Sequence, residues 1–227
     1  MAISFALITE GVSEHRIIKF ILQHFFDEEP DITQIQPQII NEKQVSSPGG
    51  WNEVIKYCSR EEDLRNILEY NDFIIIQIDT DMCEIAPYSV SRMVEGRERN
   101  DEELYNAVRE RLLSSISETI DYSRVIFAIC INMIECWLLP IYETGKKGCA
   151  TKNCLGRLNT GLRRNSIHVI TDKNSNESQN SYDLILGHIK RISEIEECAA
   201  RQWSFNRFLI DLRSATRGPS LKENIQG

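Results

Sequence analysis

The sequence predicts an α/β fold, a mainly parallel sheet flanked by helices with a helical elaboration at the carboxyl end. Three observations carry this expectation. Apolar runs rich in strand formers recur at residues 3–9, 73–78 and 125–131. Segments with helical spacing lie between them. Beyond residue 131 the strand-like runs cease and only helical patterns continue.

Residues 3–9 end at Gly11 and Ser13, a strand, a tight turn and a helix N-cap. Ile17, Ile18, Ile21, Leu22 and Phe25 form one helical stripe, and residues 27–30 stop it at Pro30. Residues 32–40 alternate, with Ile32, Gln34, Gln36 and Gln38 on the outward side, as an edge strand does. A loop at 46–50 precedes a helical stretch at 51–70 with a break near Ser59. Residues 73–78 are apolar on both faces except Gln77, the pattern of a central strand covered on both sides. A loop at 79–91 and a helix at 102–116 lead to the third core strand at 125–131.

Short helices are expected at 134–142 and 154–164, a polar loop at 172–181, and one long helix at 193–217. The organisation expected is a core at 1–145, a helical extension packed on it at 146–217 and a flexible tail at 218–227.

With 227 residues, 41% hydrophobic and 26% charged, the chain can bury one sizeable core or at most two small ones, and a globular rather than a disordered chain is expected. Its longest apolar runs fall short of the roughly 20 residues that span a bilayer. Glu10 and Gly11 interrupt the first apolar run too early for a signal peptide, so a cytoplasmic, membrane-free protein is expected. Seven cysteines without paired spacing argue against a disulfide framework, with Cys130 and Cys136 read as small core residues. Cys149, Cys154 and His168 form a weak zinc candidate.

Residues 1–145 carry 12 Lys and Arg against 26 Asp and Glu, whereas 146–227 carry 14 against 8. The acidic half suits cations. The basic half offers phosphate contacts, with Arg201, Arg207, Arg213 and Arg217 as candidates for nucleic-acid binding. Trp203, Phe205 and Phe208, interleaved with two of them, have a composition that could stack bases, but at helical spacing they read first as core residues.

Ligands of parallel sheets bind beyond the carboxyl ends of the strands. Each of the three core strands carries an acid there: Glu10 with Glu14 one helical turn on, Asp79 with Asp81, and Glu135. Were strand geometry to persist, Asp79 and Asp81 would leave the same face. Carboxylates so close repel one another unless a hard cation such as Mg²⁺ or Mn²⁺ binds between them. His15, beside Glu14, could assist proton transfer or simply face the helix surface.

The segment LITEGVSE resembles the first motif of the Toprim fold, and its Glu14 resembles the added acid in nucleases of the overcoming-lysogenization-defect type. IIIQIDTD resembles the DxD motif of the same domain. IECWLLP, SYDLILGHI and SFNRFLIDL are similar to segments of small Toprim-like proteins of bacterial defence gene sets.

The resemblance, clearest over 3–21 and 73–84, implies Glu10, Asp79 and Asp81 as a catalytic acidic triad, with Glu14 and Glu135 as further metal ligands. It implies phosphodiester hydrolysis of DNA or RNA by two ions about 3.5–4 Å apart, without a Ser, Cys or Tyr nucleophile. Since the TGKKG segment lacks the spacing of a phosphate loop, any ATPase partner would be a separate chain. A homodimer is a further expectation. The alternative is a catalytically silent binding or regulatory subunit of such an ATPase.

Overall fold

Strand formers and helical stripes alternate as expected, and the first chain segment folds β1 (Ser4–Ile8), α1 (Val12–Phe25) and β2 (Asp31–Gln36). A short antiparallel pair, β3 (Ile39–Ile40) and β4 (Lys43–Gln44), precedes α2 (Trp51–Cys58), α3 (Glu61–Tyr70) and β5 (Phe73–Asp79). A second such pair, β6 (Met93–Val94) and β7 (Arg97–Glu98), leads to α4 (Asp101–Leu113) and β8 (Val125–Cys130). Five further helices follow among the described residues: α5 (Glu135–Tyr142), α6 (Cys154–Arg164), α7 (Asn176–Leu186), α8 (Ile192–Ala199) and α9 (Trp203–Thr216). The computed structural model describes residues 2–40, 43–44, 49–143, 148–173 and 175–217. The expected flexible tail at 218–227 and most of the loop at 46–50 and of TGKKG lie outside the described residues.

The main sheet has the order β2-β1-β5-β8 with every pairing parallel. From β1 the chain moves outward to β2 and then returns to build β5 and β8 on the other side. The order therefore reverses between β1 and β5, the position at which parallel sheets open a crevice for ligands.

Side chains alternate across the sheet with the period of two that strand geometry imposes. Ala6, Ile8, Ile74, Ile76, Ile78, Phe127 and Ile129 face the layer of α2, α3 and α4. Phe5, Leu7, Ile75, Ala128 and Cys130 face α1 and the carboxyl-terminal helices. Gln77 and Asp79 continue this second register, so the acid at the end of β5 points toward α1, α5 and α7. No described helix is long and apolar enough to cross a membrane.

Four expectations change. The edge strand stops at Gln36, whose side chain is buried rather than outward, and whose carbonyl accepts from Thr9. The polar loop at 172–181 becomes helix from Asn176, because the Ser175 hydroxyl caps it by accepting from the Ser178 N–H. The long helix at 193–217 breaks at Gln202, whose backbone is extended, so α8 packs on α5 while α9 lies along β8. The cysteines are not all thiols, since Cys136 and Cys154 form a disulfide joining α5 to α6, which also removes Cys154 from any zinc set. The buried thiol of Cys130 agrees with its reading as core.

Candidate metal centre

Four of the five predicted acids meet at the sheet's reversal point. Where β1 ends, the Glu10 N–H donates to Gln77 Oε1 at 3.1 Å, and Glu10 Oε1 accepts from the Asp79 N–H at 2.6 Å. Gln77, fully buried, donates its Nε2 to Asp79 Oδ1 at 2.9 Å. One amide thus fixes Glu10 and Asp79 relative to each other across the β1–β5 seam.

Helix α1 starts at Val12, with Gly11 and not Ser13 as its N-cap. Ser13 instead donates its hydroxyl to Glu14 Oε2 at 2.8 Å, turning that buried carboxylate back over the helix start. Gly11 makes room for it: a Cβ there would stand 2.5 Å from Glu14 Oε2.

Asp79 is the last residue of β5, and strand geometry does not continue to Asp81. The N–H groups of Thr80 and Asp81 both donate to the Asn132 carbonyl at 2.9 Å, which turns the chain and leaves Asp81 exposed on the rim. Asn132 supports this turn from a left-handed backbone, φ 69°. Glu135, the first residue of α5, is fully buried. The Tyr182 hydroxyl of α7 donates to its Oε1 at 2.5 Å, whereas its Oε2 has no hydrogen-bond partner among the described residues.

A cation already stands at the focus of these acids. Lys173, just ahead of α7, places Nζ 2.8 Å from Glu135 Oε1, 2.9 Å from Glu14 Oε1 and 3.9 Å from Asp79 Oδ2. Gln179 holds the Lys173 carbonyl through its Nε2 at 2.5 Å. Nothing local marks this residue, because a single lysine in a polar segment looks like any solvated lysine. A signal for Gln77 was present: it is the one polar side chain in the otherwise apolar run 73–78.

The electrostatics follow from burial and from the ammonium. Burial pushes the Glu10 carboxyl up to about 8; the Asp79 N–H opposes this, and the charges of Glu14 and Asp81 add to it. Burial also raises Asp79 well above the ordinary range, with Glu10 reinforcing the shift. Burial would raise Glu14 too, but the charge and hydrogen bond of Lys173 outweigh it and hold Glu14 below the ordinary range. Burial alone would lower Lys173, yet Glu14, Glu135 and Asp79 hold it firmly charged. Asp81 on the rim is raised, by partial desolvation first.

Among the described residues no three His, Cys, Asp or Glu side chains stand ready as a metal-binding group. Glu10 is turned to the Asp79 N–H, and the remaining acids converge on Lys173. The donor chemistry nevertheless suits a hard divalent ion: carboxylate oxygens, a cation at their focus and, on Glu135, a buried oxygen without a partner among the described residues.

The other expected site residues lie elsewhere. Arg201 donates to the carbonyls of Pro140 and Glu143, a structural tie between α5 and the turn before α9. Arg207 pairs with Asp211 at 2.9 Å and lines a 610 Å³ cavity with Phe73 and Phe127, toward the amino ends of β5 and β8. It is therefore at the opposite end of the sheet from the acids. Arg213 pairs with Glu196 at 2.6 Å and lies over the Phe25 ring. Arg217, at the carboxyl cap of α9, is exposed. These arginines do not form a phosphate track beside the acids, because helix α9 follows β8 away from them.

Phe205 and Phe208 stack on Trp137 in the core, which excludes them from base stacking. His15 turns away from the acids, and its Nδ1 is buried without a partner among the described residues. It lines a separate 620 Å³ cavity with Arg16 and Lys19, and burial lowers its pKa to about 4. His168 is exposed.

Compared with protein-family models, curated proteins and solved structures, the chain finds no match.

Proposed function

We propose that the acidic cluster is the catalytic centre of a divalent-metal-dependent nuclease that hydrolyses phosphodiester bonds of DNA or RNA. The observation that carries the reading is the convergence of Glu14, Asp79 and Glu135 on one cation position, with Glu10 beside it, at the reversal point of a parallel sheet. Glu14, Asp79 and Glu135 would hold Mg²⁺ or Mn²⁺, and Asp81 on the rim would add a ligand from the solvent side. The bound ion would supply Lewis-acid activation of water and neutralisation of phosphate charge.

The remaining work belongs to the chain. Glu10, whose carboxyl burial pushes up to about 8 in the metal-free protein, would serve as general acid or base. Gln77 keeps Glu10 and Asp79 in register. An anti-phage role, a cytoplasmic location and a separate ATPase partner belong to the same proposal. The disulfide is the feature least at home in a reducing compartment.

The test is incubation of the purified chain with plasmid, single-stranded DNA and total tRNA, with and without Mn²⁺. Asp79→Asn and Glu135→Gln are each expected to reduce metal-dependent cleavage at least about a hundredfold, the scale on which lost charge stabilisation is felt. Wild-type cleavage by either variant would reject the proposal.

A second reading draws on Lys173, which neutralises the cluster without a metal. In that case the chain is a binding or regulatory subunit, and Asp79→Asn leaves its association with a partner intact.

A further inference from the structure

The Lys173 ammonium and a divalent ion cannot occupy the same position among Glu14, Asp79 and Glu135. Nζ stands within 2.9 Å of oxygens from both Glu14 and Glu135, with Asp79 at 3.9 Å, the position those acids would give to a metal. Two cations a few ångströms apart in a buried site repel strongly.

We infer that Lys173 is a tethered counter-cation that occupies the metal position of the resting protein and sets the divalent-ion concentration at which the site fills. The inference rests on the metal-centre reading above and concerns how that site is regulated. Three observations support it. First, the backbone is held while the side chain has a route to solvent: Gln179 binds the Lys173 carbonyl, and the lysine side chain is 30% exposed. A four-carbon stem with a compact charge at its end can swing without moving that anchor.

Second, the ammonium is an incomplete partner. It brings one charge to Glu14, Asp79 and Glu135, and Glu135 Oε2 remains buried without a hydrogen bond among the described residues. A divalent ion carries twice the charge, so it can displace the lysine where a monovalent ion gains nothing. Third, Lys173 is attached to the fold, so its competition does not depend on protein concentration. If the lysine-out form is about a tenth of the population, the apparent metal affinity is about tenfold below the intrinsic one.

The test is calorimetric titration of the full chain with MnCl₂, wild type against Lys173→Met, which keeps stem length and removes charge. Lys173→Met is expected to bind Mn²⁺ at least about tenfold more tightly. Because that variant leaves buried carboxylates uncompensated and could fail to fold, wild type is examined in parallel by amine acylation and mass spectrometry. Lys173 should be protected in metal-free protein and become reactive at Mn²⁺ saturation, while exposed Lys56 and Lys152 react equally in both.

Equal or weaker Mn²⁺ binding by a folded Lys173→Met, or unchanged protection of Lys173 in metal-saturated wild type, would overturn the inference and leave the metal centre standing. Absence of Mn²⁺ binding to both proteins at millimolar concentration would overturn the metal centre and the inference together.

Discussion

Tyr182 shows how one hydroxyl supports the charge arrangement of the site. Its O–H donates at 2.5 Å to Glu135, and both residues are fully buried. Tyr182→Phe keeps the ring and deletes the donor, so it should cost about 1.5–3 kcal/mol, the worth of a hydrogen bond to a charged group. Urea midpoints of the two proteins measure this, and a loss within error would mean that Glu135 is satisfied without Tyr182. Glu10 gives a pH signature. Its folded-state pKa of about 8 exceeds the ordinary 4.5, so the folded protein keeps a proton that the unfolded chain releases. That contribution is full below about pH 4.5 and is lost as pH rises through 8. In metal-free protein, stability should fall across this window more steeply for wild type than for Glu10→Gln, and parallel curves would contradict the assigned burial. At this scale Glu10, Glu14, Asp79 and Glu135 were legible because each stands where an apolar run stops. Lys173 and Tyr182 were not. They reach the cluster only because α7 packs beside α1, a long-range juxtaposition that no local pattern encodes.

Helices and strands were legible where periodicity was strong and were missed where capping or cross-linking decided the outcome. The runs at β1, β5 and β8 announced a covered parallel sheet, and the weak point near Ser59 became the α2–α3 break. Helix α7 was hidden by its Asn- and Ser-rich first turn, although Ser175 is a good cap and Tyr182, Ile185 and Leu186 supply its apolar stripe. Ser175→Ala should cost about 1 kcal/mol, the usual worth of an N-cap. Since α7 starts just after Lys173, the same variant should raise amide exchange across 176–182; unchanged exchange there would show that packing alone holds the helix. The α5–α6 link is the other hidden element, because a separation of 18 residues between Cys136 and Cys154 resembles no sequence motif. A closed loop of that size stabilises by about 3 kcal/mol in the chain-entropy account. Reduction, or the Cys136→Ser, Cys154→Ser pair, should lower the urea midpoint accordingly, whereas an unaltered midpoint would mean that α5 and α6 hold together by packing alone.

At the scale of the whole molecule, the division into a core at 1–145 and an extension at 146–217 does not coincide with the layers of the fold. Phe5, Leu7 and Ile75 of the sheet share one buried cluster with Leu158, Tyr182, Ile195 and Phe208 of the carboxyl-terminal helices. Trp137 stacks on Phe205 with ring centroids 4.6 Å apart and donates its Nε1 to Ser204 at 3.0 Å. Residues 1–145 alone would leave that face in water, and they would also lack Lys173 and Tyr182, so Glu14 and Glu135 would lose their partners. Burial of an apolar side chain such as those on that face is worth about 1.5–3 kcal/mol, so losing several of them exceeds the margin by which a domain is stable. The extension is therefore expected to be half of the core rather than an addition to it. Trp137 reports on this face and Trp51 packs against the cluster on the opposite one, so variants retaining one or the other tryptophan read the two layers separately. Both should unfold in urea at the same midpoint as the far-ultraviolet circular dichroism, as a two-state unit requires. A fragment of residues 1–145 should show no cooperative transition. Separate midpoints for the two tryptophans, together with a folded fragment, would establish that the helices beyond 146 form a unit of their own and that the acidic cluster is assembled across a domain boundary.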